Sequence, residues 1–312
     1  MNVFILGASG FIGNAVASEF LSRGDDVIGL CKTNESKRAL RSQGVNGIVG
    51  DMADIDEWIH VAKKADIIIH AAHQRPKMRL SSSWLKKSQK LRDKCLSALV
   101  EVTKTEGRCR ALIYTSGMIA FGNHGNDIID ESTPSVCSAL GNYHLAGEDI
   151  IKQGALQGVP AFSIRPGMVY GNNGTFRKFF LDVADKGKYQ YPGNGNNFLP
   201  FIHIDDLAKA YVLAADKAPT GKVISVVDDQ PVKMQVMAES LLNNMGGGKA
   251  SSVPQWIVGL FAGNALAEML VGSYRVKNNL AKELLDWKPQ FKSFKEGIPH
   301  VVGQYRDTVT HH

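Results

Sequence analysis

The chain has 312 residues, of which 44% are hydrophobic and 21% charged, and its formal net charge is +6. This length and composition allow about two domains, or one domain with a long elaboration, around a substantial core. The longest apolar runs fall well short of the ~20 residues that a membrane span needs, and the charge is too modest to indicate nucleic acid, so we expect neither partner.

Strand-like and helix-like segments alternate along the first half of the chain. Short apolar runs predict strands at 2–7, 26–32, 45–51, 66–72, 110–117 and 160–167. Apolar residues at helical spacing predict helices at 11–24, 36–44, 55–65, 84–107 and 143–157. This alternation predicts an α/β fold in which a doubly wound parallel (Rossmann) sheet is covered by helices on both faces.

After Gly171 the alternation breaks. Residues 172–197 are rich in glycine and asparagine, with one short helical stretch. A strand and a helix follow at 198–216, with Asp205 as a plausible N-cap, then a strand at 221–229. The remainder is mostly helical, with a break at 246–248. We therefore assign 1–171 and 201–228 to a Rossmann domain, and 172–200 and 229–312 to a smaller, mostly helical substrate-binding lobe.

"GASGFIG" follows the first strand and opens the first helix, which places Gly7, Gly10 and Gly13 in a GxxGxxG loop. Gly7 permits a tight turn, Gly10 lets backbone N–H groups approach a pyrophosphate, and Gly13 allows close packing of the helix on the sheet. Because the loop lies inside a βαβ pattern, it predicts dinucleotide binding. The alternative is a tight turn with no ligand.

The end of the second strand bears on the choice of cofactor. An NAD site usually has an acid there, whereas an NADP site prefers a cation for the 2′-phosphate. This chain has Cys31-Lys32-Thr33, with further cations at Lys37 and Arg38 and no acid. We expect NADP, held in part by Lys32, with NAD as the alternative.

The N-terminus, the cysteines and the histidines bear on location and on metals. "MNVFILGASG" lacks a basic n-region and indicates a strand, not a signal peptide. The four cysteines show no CxxC spacing, which fits a reducing cytosol, so we expect a cytoplasmic protein. The nine histidines show no HxxxH pattern on a helix, so we expect no metal site.

Basic residues cluster between residues 75 and 94, where eight cations stand against one acid, Asp93. The stretch is either a solvated helix face or an attraction for an anionic substrate or partner.

Seven features occur in an order that resembles the extended short-chain dehydrogenase/reductase family, of the NAD-dependent epimerase/dehydratase type. They are "GASGFIG", "DIIIHAA", "LIYTSGMIAFGN", a tyrosine opening a helix, "SIRPGMVYG", "LPFIHIDDLAKA" and "LDWKPQFKSFKEGI". The resemblance runs from residue 2 to about 298. It implies a Rossmann domain and a small C-terminal substrate domain with the active site between them. It also suggests a homodimer paired through helices 84–107 and 143–157.

The resemblance implies a reacting set of a serine or threonine, a tyrosine, and a lysine four residues after the tyrosine. Tyr143 matches the tyrosine and is our candidate catalytic residue, but Gly147 stands at the lysine position. The hydroxyl position falls on Gly117, with Ser116 matching the structural residue before it. We interpret Gly147 as opening space beside the nicotinamide. We also expect His144 to point away from the direction of Tyr143, because helix neighbours lie about 100° apart.

The cofactor contacts implied by the resemblance are more complete than the reacting set. They comprise the phosphate loop, the adenine pair, the end of the fourth strand beside the ribose, the floor of the nicotinamide pocket and the carboxamide segment. The matching residues are Gly7, Gly10, Phe11, Ile12 and Gly13; Asp51 and Met52; Ala71 and Ala72; Thr115 and Ser116; and Pro166, Gly167, Met168 and Val169.

These features favour an atypical NADP(H)-dependent oxidoreductase that reduces a small activated electrophile: a conjugated alkene, an imine or a carbonyl. A site short of acid/base groups suits substrates that carry their own activation. The alternatives are a non-catalytic NADP(H) sensor or scaffold, and an enzyme resembling sugar-nucleotide epimerases or dehydratases. Lobe residues that hint at an apolar ligand are Phe176, Phe179, Phe180, Tyr189, Tyr191, Trp256, Phe261 and Met269.

Overall fold

The structure, a computed structural model, describes residues 1–73, 81–136 and 138–310. Within these residues, seven parallel strands form one sheet. They are β1 (Asn2–Leu6), β2 (Asp26–Cys31), β3 (Asn46–Val49), β4 (Ile67–His70), β5 (Ala111–Thr115), β6 (Ala161–Pro166) and β7 (Val223–Val226). Their spatial order is β7-β6-β5-β4-β1-β2-β3, which confirms the predicted doubly wound α/β sheet.

Helices cover both faces of the sheet. The helices of seven or more residues in the described part of the chain are α1 (Phe11–Ser22), α2 (Asn34–Arg41), α3 (Ile55–Ala62), α4 (Ser82–Glu106), α5 (Ala139–Leu156), α6 (Ile204–Lys217), α7 (Met234–Met245), α8 (Gln255–Ala262), α9 (Asn264–Val271), α10 (Asn279–Leu285) and α11 (Phe294–Thr310). Helices α1, α6 and α10 pack on one face of the sheet, and α3, α4 and α5 pack on the other.

Strand β1 shows why the central strands read as unbroken apolar runs. Val3 and Ile5 are buried in the core beneath α1. Phe4 and Leu6 are buried in the core beneath α3 and α4. Since alternate side chains of a strand point to opposite faces, a strand covered on both sides is apolar throughout. The strand order reverses between β1 and β4, and ligands of such sheets bind at the carboxyl ends beside that point.

The smaller lobe has a core of its own, rich in aromatic rings and built largely from residues 170–201 and from α7 and α11. The lobe also contains a strand that we did not predict: Lys249–Val253 pairs in parallel with Lys188–Pro192. The polar sequence "KASSV" gave no apolar signal for that strand. Helix α10 and Trp287 pack in the core of the main sheet, although we had placed their segment in the lobe. The division into two domains stays a prediction.

Two helix starts differ from the prediction. Helix α5 begins at Ala139, where the Ser138 hydroxyl accepts a hydrogen bond from the Gly141 N–H at 2.9 Å. Tyr143 therefore lies in the second turn and does not open the helix. Helix α6 is capped by His203, whose Nδ1 accepts from the Asp205 N–H at 3.2 Å, so Asp205 itself is not the N-cap.

Within the described residues, no helix is both long and apolar enough to span a bilayer. The basic stretch lies partly outside the described residues, since it includes Arg75, Lys77 and Arg79. In its described part the lysines are exposed, whereas Arg92 is buried. The predicted homodimer stays a prediction.

Candidate active site

The glycine loop joins β1 to α1 at the carboxyl edge of the sheet. Gly7 has φ +93°, and a Cβ there would lie 2.8 Å from the backbone of Ala72. A Cβ on Gly13 would lie 2.2 Å from the Gly7 carbonyl oxygen. Both glycines are therefore required by the turn and its packing on β4. A Cβ on Gly10 would approach only the Gly7 carbonyl oxygen, at 3.1 Å, so the loop surface around Gly10 is open.

Helix α1 starts beside this open surface. Among the described residues, no side chain caps its first turn. The first backbone N–H groups of a helix lack intrahelical partners and carry the positive end of the helix dipole. An uncapped N-terminus beside an open glycine therefore fits the pyrophosphate of a dinucleotide.

The other predicted cofactor residues lie mostly at the same edge of the sheet. Each of the following short segments ends or directly follows a parallel strand: Lys32, Ala71–Ala72, Thr115–Ser116 and Pro166–Gly167. Met168 and Val169 continue into a short strand that pairs with residues 201–203, and Asp51 and Met52 follow β3. The structure thus brings these candidates to one edge of the sheet, and their contact with a cofactor stays a prediction. The Thr115 hydroxyl is hydrogen-bonded to the Tyr211 hydroxyl at 2.6 Å.

A buried cation lies against Tyr143. The Arg92 side chain, on α4, is 1% exposed, and its guanidinium carbon lies 4.3 Å from the centre of the Tyr143 ring. It donates to the Tyr143 carbonyl oxygen and, at 3.3 Å, to the Tyr114 hydroxyl. Asp93 accepts from the same guanidinium at 2.6 Å. The site therefore holds a cation, although the lysine position is glycine.

In our sequence analysis Arg92 counts only as one cation of the basic stretch 75–94, and its contact with Tyr143 is not predicted. A signal was present in the spacing of the helix: Leu85, Ser88, Arg92, Leu96 and Leu99 follow one another at three- and four-residue intervals, and all are buried. A cation on that stripe of α4 faces the core.

The space at Gly147 is occupied. A Cβ there would lie 2.7 Å from both the hydroxyl oxygen and Cζ of Tyr114. Our interpretation of Gly147 as an opening beside the nicotinamide is therefore wrong: the missing side chain makes room for the phenol ring of β5. Burial raises the pKa of Tyr114 far above its ordinary value, so this hydroxyl stays neutral.

The space at Gly117 is occupied as well. A Cβ there would lie 3.1 Å from Cε1 and 3.3 Å from Nε2 of His144. The His144 ring meets the Tyr143 ring edge-on, with ring centres 5.2 Å apart, and lies 5.8 Å from His73. His144 therefore lines the site beside Tyr143, contrary to our prediction. An aromatic ring therefore lies against each glycine: Tyr114 against Gly147 and His144 against Gly117.

Comparison with known proteins agrees with this architecture. Residues 3–226 match the NAD dependent epimerase/dehydratase family. The chain belongs to this family. The match covers the whole sheet, from β1 to the last residue of β7.

Relatives and solved structures of similar extent are distant in sequence. An uncharacterised protein of Schizosaccharomyces pombe is 28% identical over 93% of this chain and 95% of its own length. The 3-diazoavenalumate denitrifying reductase of a Streptomyces species is 24% identical over 96% of this chain and 99% of its own. The crystal structure of the human epimerase family protein SDR39U1 (isoform 2) with NADPH superposes with a TM-score of 0.82 at 19% identity, covering 97% of this chain and 99% of that one.

Membership of the family supports a nicotinamide cofactor at the carboxyl edge of the sheet, and the open, uncapped start of α1 fits one. A cavity of about 570 Å³ adjoins the glycine loop on the side of α2. It is lined by Ser9, Gly10 and Phe11 together with residues 173–182 of the lobe, including Arg177 and Lys178. Neither Tyr143 nor His144 lines it, so this cavity is separate from the predicted catalytic residue Tyr143.

Lys32 is paired with Asp51 across the ends of β2 and β3. Lys32 Nζ lies 3.4 Å from the Asp51 carboxylate, and the two side chains are 69% and 45% exposed. A hydrogen bond from the Ala53 N–H, with help from Lys32, lowers the pKa of Asp51. An exposed pair of this kind is weak, so the lysine remains available to a phosphate.

Ser116 and Glu148 belong to a buried support for the site. The Ser116 hydroxyl donates to Glu148 Oε1 at 2.5 Å, and Arg165 binds both carboxylate oxygens at 2.7 and 2.6 Å. The Arg165 guanidinium also lies 4.4 Å from the centre of the Phe121 ring. Glu148 thereby ties α5 to β6 next to Ser116. The Glu148 carboxylate is therefore paired with Arg165 inside the protein.

The aromatic residues that hinted at an apolar ligand have mixed positions. Phe176, Tyr189 and Tyr191 are buried in the core of the lobe, whereas Phe179 and Trp256 are 55% and 69% exposed. Met269 packs with Met118 in an apolar cluster beside Gly117. Phe180 packs on the core of the lobe, and the Phe261 side chain lies outside the described part of the chain.

A group of possible metal ligands lies at the start of α6, where α11 approaches it. Among the described residues, ligand atoms of His203, Asp205 and His300 lie within 4.8 Å of one another. The His203 Nδ1 accepts the capping hydrogen bond of α6, and His300 Nε2 is hydrogen-bonded to Gln304 at 3.0 Å. The expected absence of a metal stays a prediction.

Proposed function

We propose that this protein is an NADP(H)-dependent reductase of small electrophiles that carry their own activation, such as conjugated alkenes, imines or activated carbonyls. The proposal rests on two features together. The glycine loop is open at Gly10, and aromatic rings lie against the two glycines at the serine and lysine positions: His144 against Gly117 and Tyr114 against Gly147. The cofactor supplies a hydride when bound.

The side chains at this site suit a reaction whose product does not need a strong proton donor. Hydride addition to a simple ketone produces an alkoxide, which needs a proton at once, whereas addition to a conjugated alkene produces a delocalised enolate. Tyr143 is the hydroxyl donor at the centre, held by Arg92 through its ring and its carbonyl oxygen. Alcohol oxidation of the epimerase type uses the tyrosine–lysine pair that the family resemblance implies, and Tyr114 occupies the place of that lysine.

A relative of nearly equal length supports this class of substrate. The name 3-diazoavenalumate denitrifying reductase describes a reductase that acts on a diazo compound, which is an electrophile with built-in activation. We infer that this chain reduces substrates of comparable reactivity, bound against the apolar wall that includes Met118 and Met269.

The proposal is tested by following deuterium from 4-deuterated NADPH into an enone, an imine and a ketone. We expect label in the product of the enone or the imine. NADPH binding without label in any product would count against a reductase and would favour a redox-sensing or scaffold role.

Tyr143→Phe is expected to lower kcat for an enone by about tenfold. General acid catalysis typically contributes 10²–10⁴-fold, and the loss is smaller here because water can protonate an enolate. The measurement is the steady-state rate of NADPH oxidation, with Tyr305→Phe as a buried tyrosine control in the core of the lobe. A loss of 10⁴-fold would instead indicate alkoxide chemistry with an obligatory tyrosine.

Lys32→Ala is expected to weaken NADPH binding by about tenfold, the effect of losing roughly 1.4 kcal/mol of charge-assisted contact with the 2′-phosphate. NADH binding is expected to stay unchanged. Fluorescence titration with both cofactors measures the ratio, with the exposed Lys86→Ala as the matched control. Equal weakening for NADH and NADPH, or tighter NADH binding by the wild type, would contradict the preference for NADP.

A further inference from the structure

Gly117 follows β5 at the position where the family resemblance places a hydroxyl. Its φ of −167° is an extended conformation that any residue adopts, so the backbone does not call for glycine. The crowding comes from one side chain: the three nearest atoms to a Cβ on Gly117 all belong to the His144 imidazole, at 3.1, 3.3 and 3.5 Å. A serine or threonine side chain at this position would therefore press against the imidazole.

The surroundings of His144 keep its ring neutral. Burial, followed by the charges of His73, Arg92 and Arg165, lowers the pKa of His144 well below its ordinary 6.5. These groups come from the end of β4, from α4 and from β6, and the Tyr143 ring meets the imidazole edge-on. A neutral imidazole carries one N–H donor and one bare nitrogen.

The position of that proton follows from burial. His144 Nδ1 is buried, and no described residue forms a hydrogen bond with it. A proton on Nδ1 would bury an unpaired N–H, which costs more than burying a bare nitrogen. The favoured tautomer has its proton on Nε2, which lies 3.3 Å from the position of a Cβ on Gly117.

We propose that His144 supplies, through Nε2–H, the hydrogen bond to the substrate oxygen or nitrogen that the missing hydroxyl at Gly117 would otherwise supply. The inference rests on the proposed reductase function. As the hydride bonds to the electrophilic carbon, the π electron pair moves onto the conjugated heteroatom, and that atom accepts the hydrogen bond from Nε2. The product's proton then comes from Tyr143 or water, and His144 stays neutral throughout.

An exchange of the two side chains tests the inference kinetically. His144→Ala is expected to lower kcat for an enone by about 10²–10³-fold, as the loss of one oxyanion-stabilising donor does, with NADPH affinity unchanged. Adding Gly117→Ser to His144→Ala is expected to recover at least tenfold, because the vacated volume admits a hydroxyl. The exposed His60→Ala is the control. Wild-type kcat in His144→Ala, or no recovery in the stably folded double variant, would overturn the inference.

A second measurement does not depend on turnover. Nitrogen-15 NMR of histidine-labelled protein, with the His144 signals assigned from His144→Gln, reports the tautomer directly. We expect a neutral ring protonated at Nε2 at pH 7. An imidazolium, or a proton on Nδ1, would overturn the inference. If the wild type transfers no label to any substrate, the reductase proposal fails, and the NMR result still decides whether His144 presents a donor to the cleft.

Discussion

Gly147→Ala is expected to destabilise the protein by about 1–3 kcal/mol, the usual cost of overpacking a buried site. The direction of the stability change is informative, because alanine inside a helix is normally about 1 kcal/mol more stabilising than glycine. The added Cβ would lie 2.7 Å from the Tyr114 hydroxyl oxygen and Cζ, and Tyr114 is fully buried in β5. Urea denaturation of the two proteins measures the change.

Gly303→Ala is the matched control. Gly303 lies in α11 with nothing within 4 Å of a Cβ, so the same substitution should stabilise the protein there. In a Tyr114→Ala background the cost of Gly147→Ala should vanish, because the ring that it strikes is gone. Stabilisation by Gly147→Ala in the wild type would show that the glycine is not there for Tyr114.

Gly147→Lys extends this argument to function. Restoring the residue that the family resemblance implies is expected to destabilise the fold further and to leave alcohol oxidation at background. If the variant folds and oxidises a nucleotide sugar, the interpretation of the centre as a ring-filled reductase site is wrong.

Gly10→Val is expected to weaken NADPH binding by about 100-fold or more, equivalent to roughly 2.7 kcal/mol, with little loss of stability. The φ and ψ of Gly10, −82° and 170°, suit any residue, and a Cβ would approach only the Gly7 carbonyl oxygen, at 3.1 Å. The branched side chain would instead occupy the space in front of the first N–H groups of α1. Calorimetric titration with NADPH measures the affinity.

Gly13→Ala separates binding from folding. Its Cβ would lie 2.2 Å from the Gly7 carbonyl oxygen, so this variant should lose stability, whereas Gly10→Val should mainly lose cofactor. If Gly10→Val bound NADPH like the wild type, the dinucleotide would not lie across this loop.

The sequence was sufficient for the sheet and the cradle because both depend on local patterns. Apolar runs buried on two faces identified β1 and β4, and the GxxGxxG spacing identified the loop before α1. The strand at Lys249–Val253 could not be predicted in this way, since its polar residues pair with Lys188–Pro192 at the edge of the lobe. Its register depends on a partner some sixty positions away.

At the proposed reaction centre, the sequence showed only which two positions lack the expected side chains. The glycines at 117 and 147 were visible in the sequence, but what fills them was not. The sequence predicted only that Tyr114 lies in a strand, that His144 points away from Tyr143, and that Arg92 belongs to the basic stretch 75–94. Their meeting depends on how α4 and α5 pack over β5, a tertiary arrangement that no local pattern encodes.

The account depends first on the cradle, and equilibrium titration of the purified wild-type protein with NADPH tests it most directly. We predict saturable binding of one NADPH per chain at micromolar concentration, displaced by NADP⁺ and weaker for NADH. Absence of binding at millimolar NADPH and NADH would contradict the account, because the glycine loop would then be a turn that serves the fold alone.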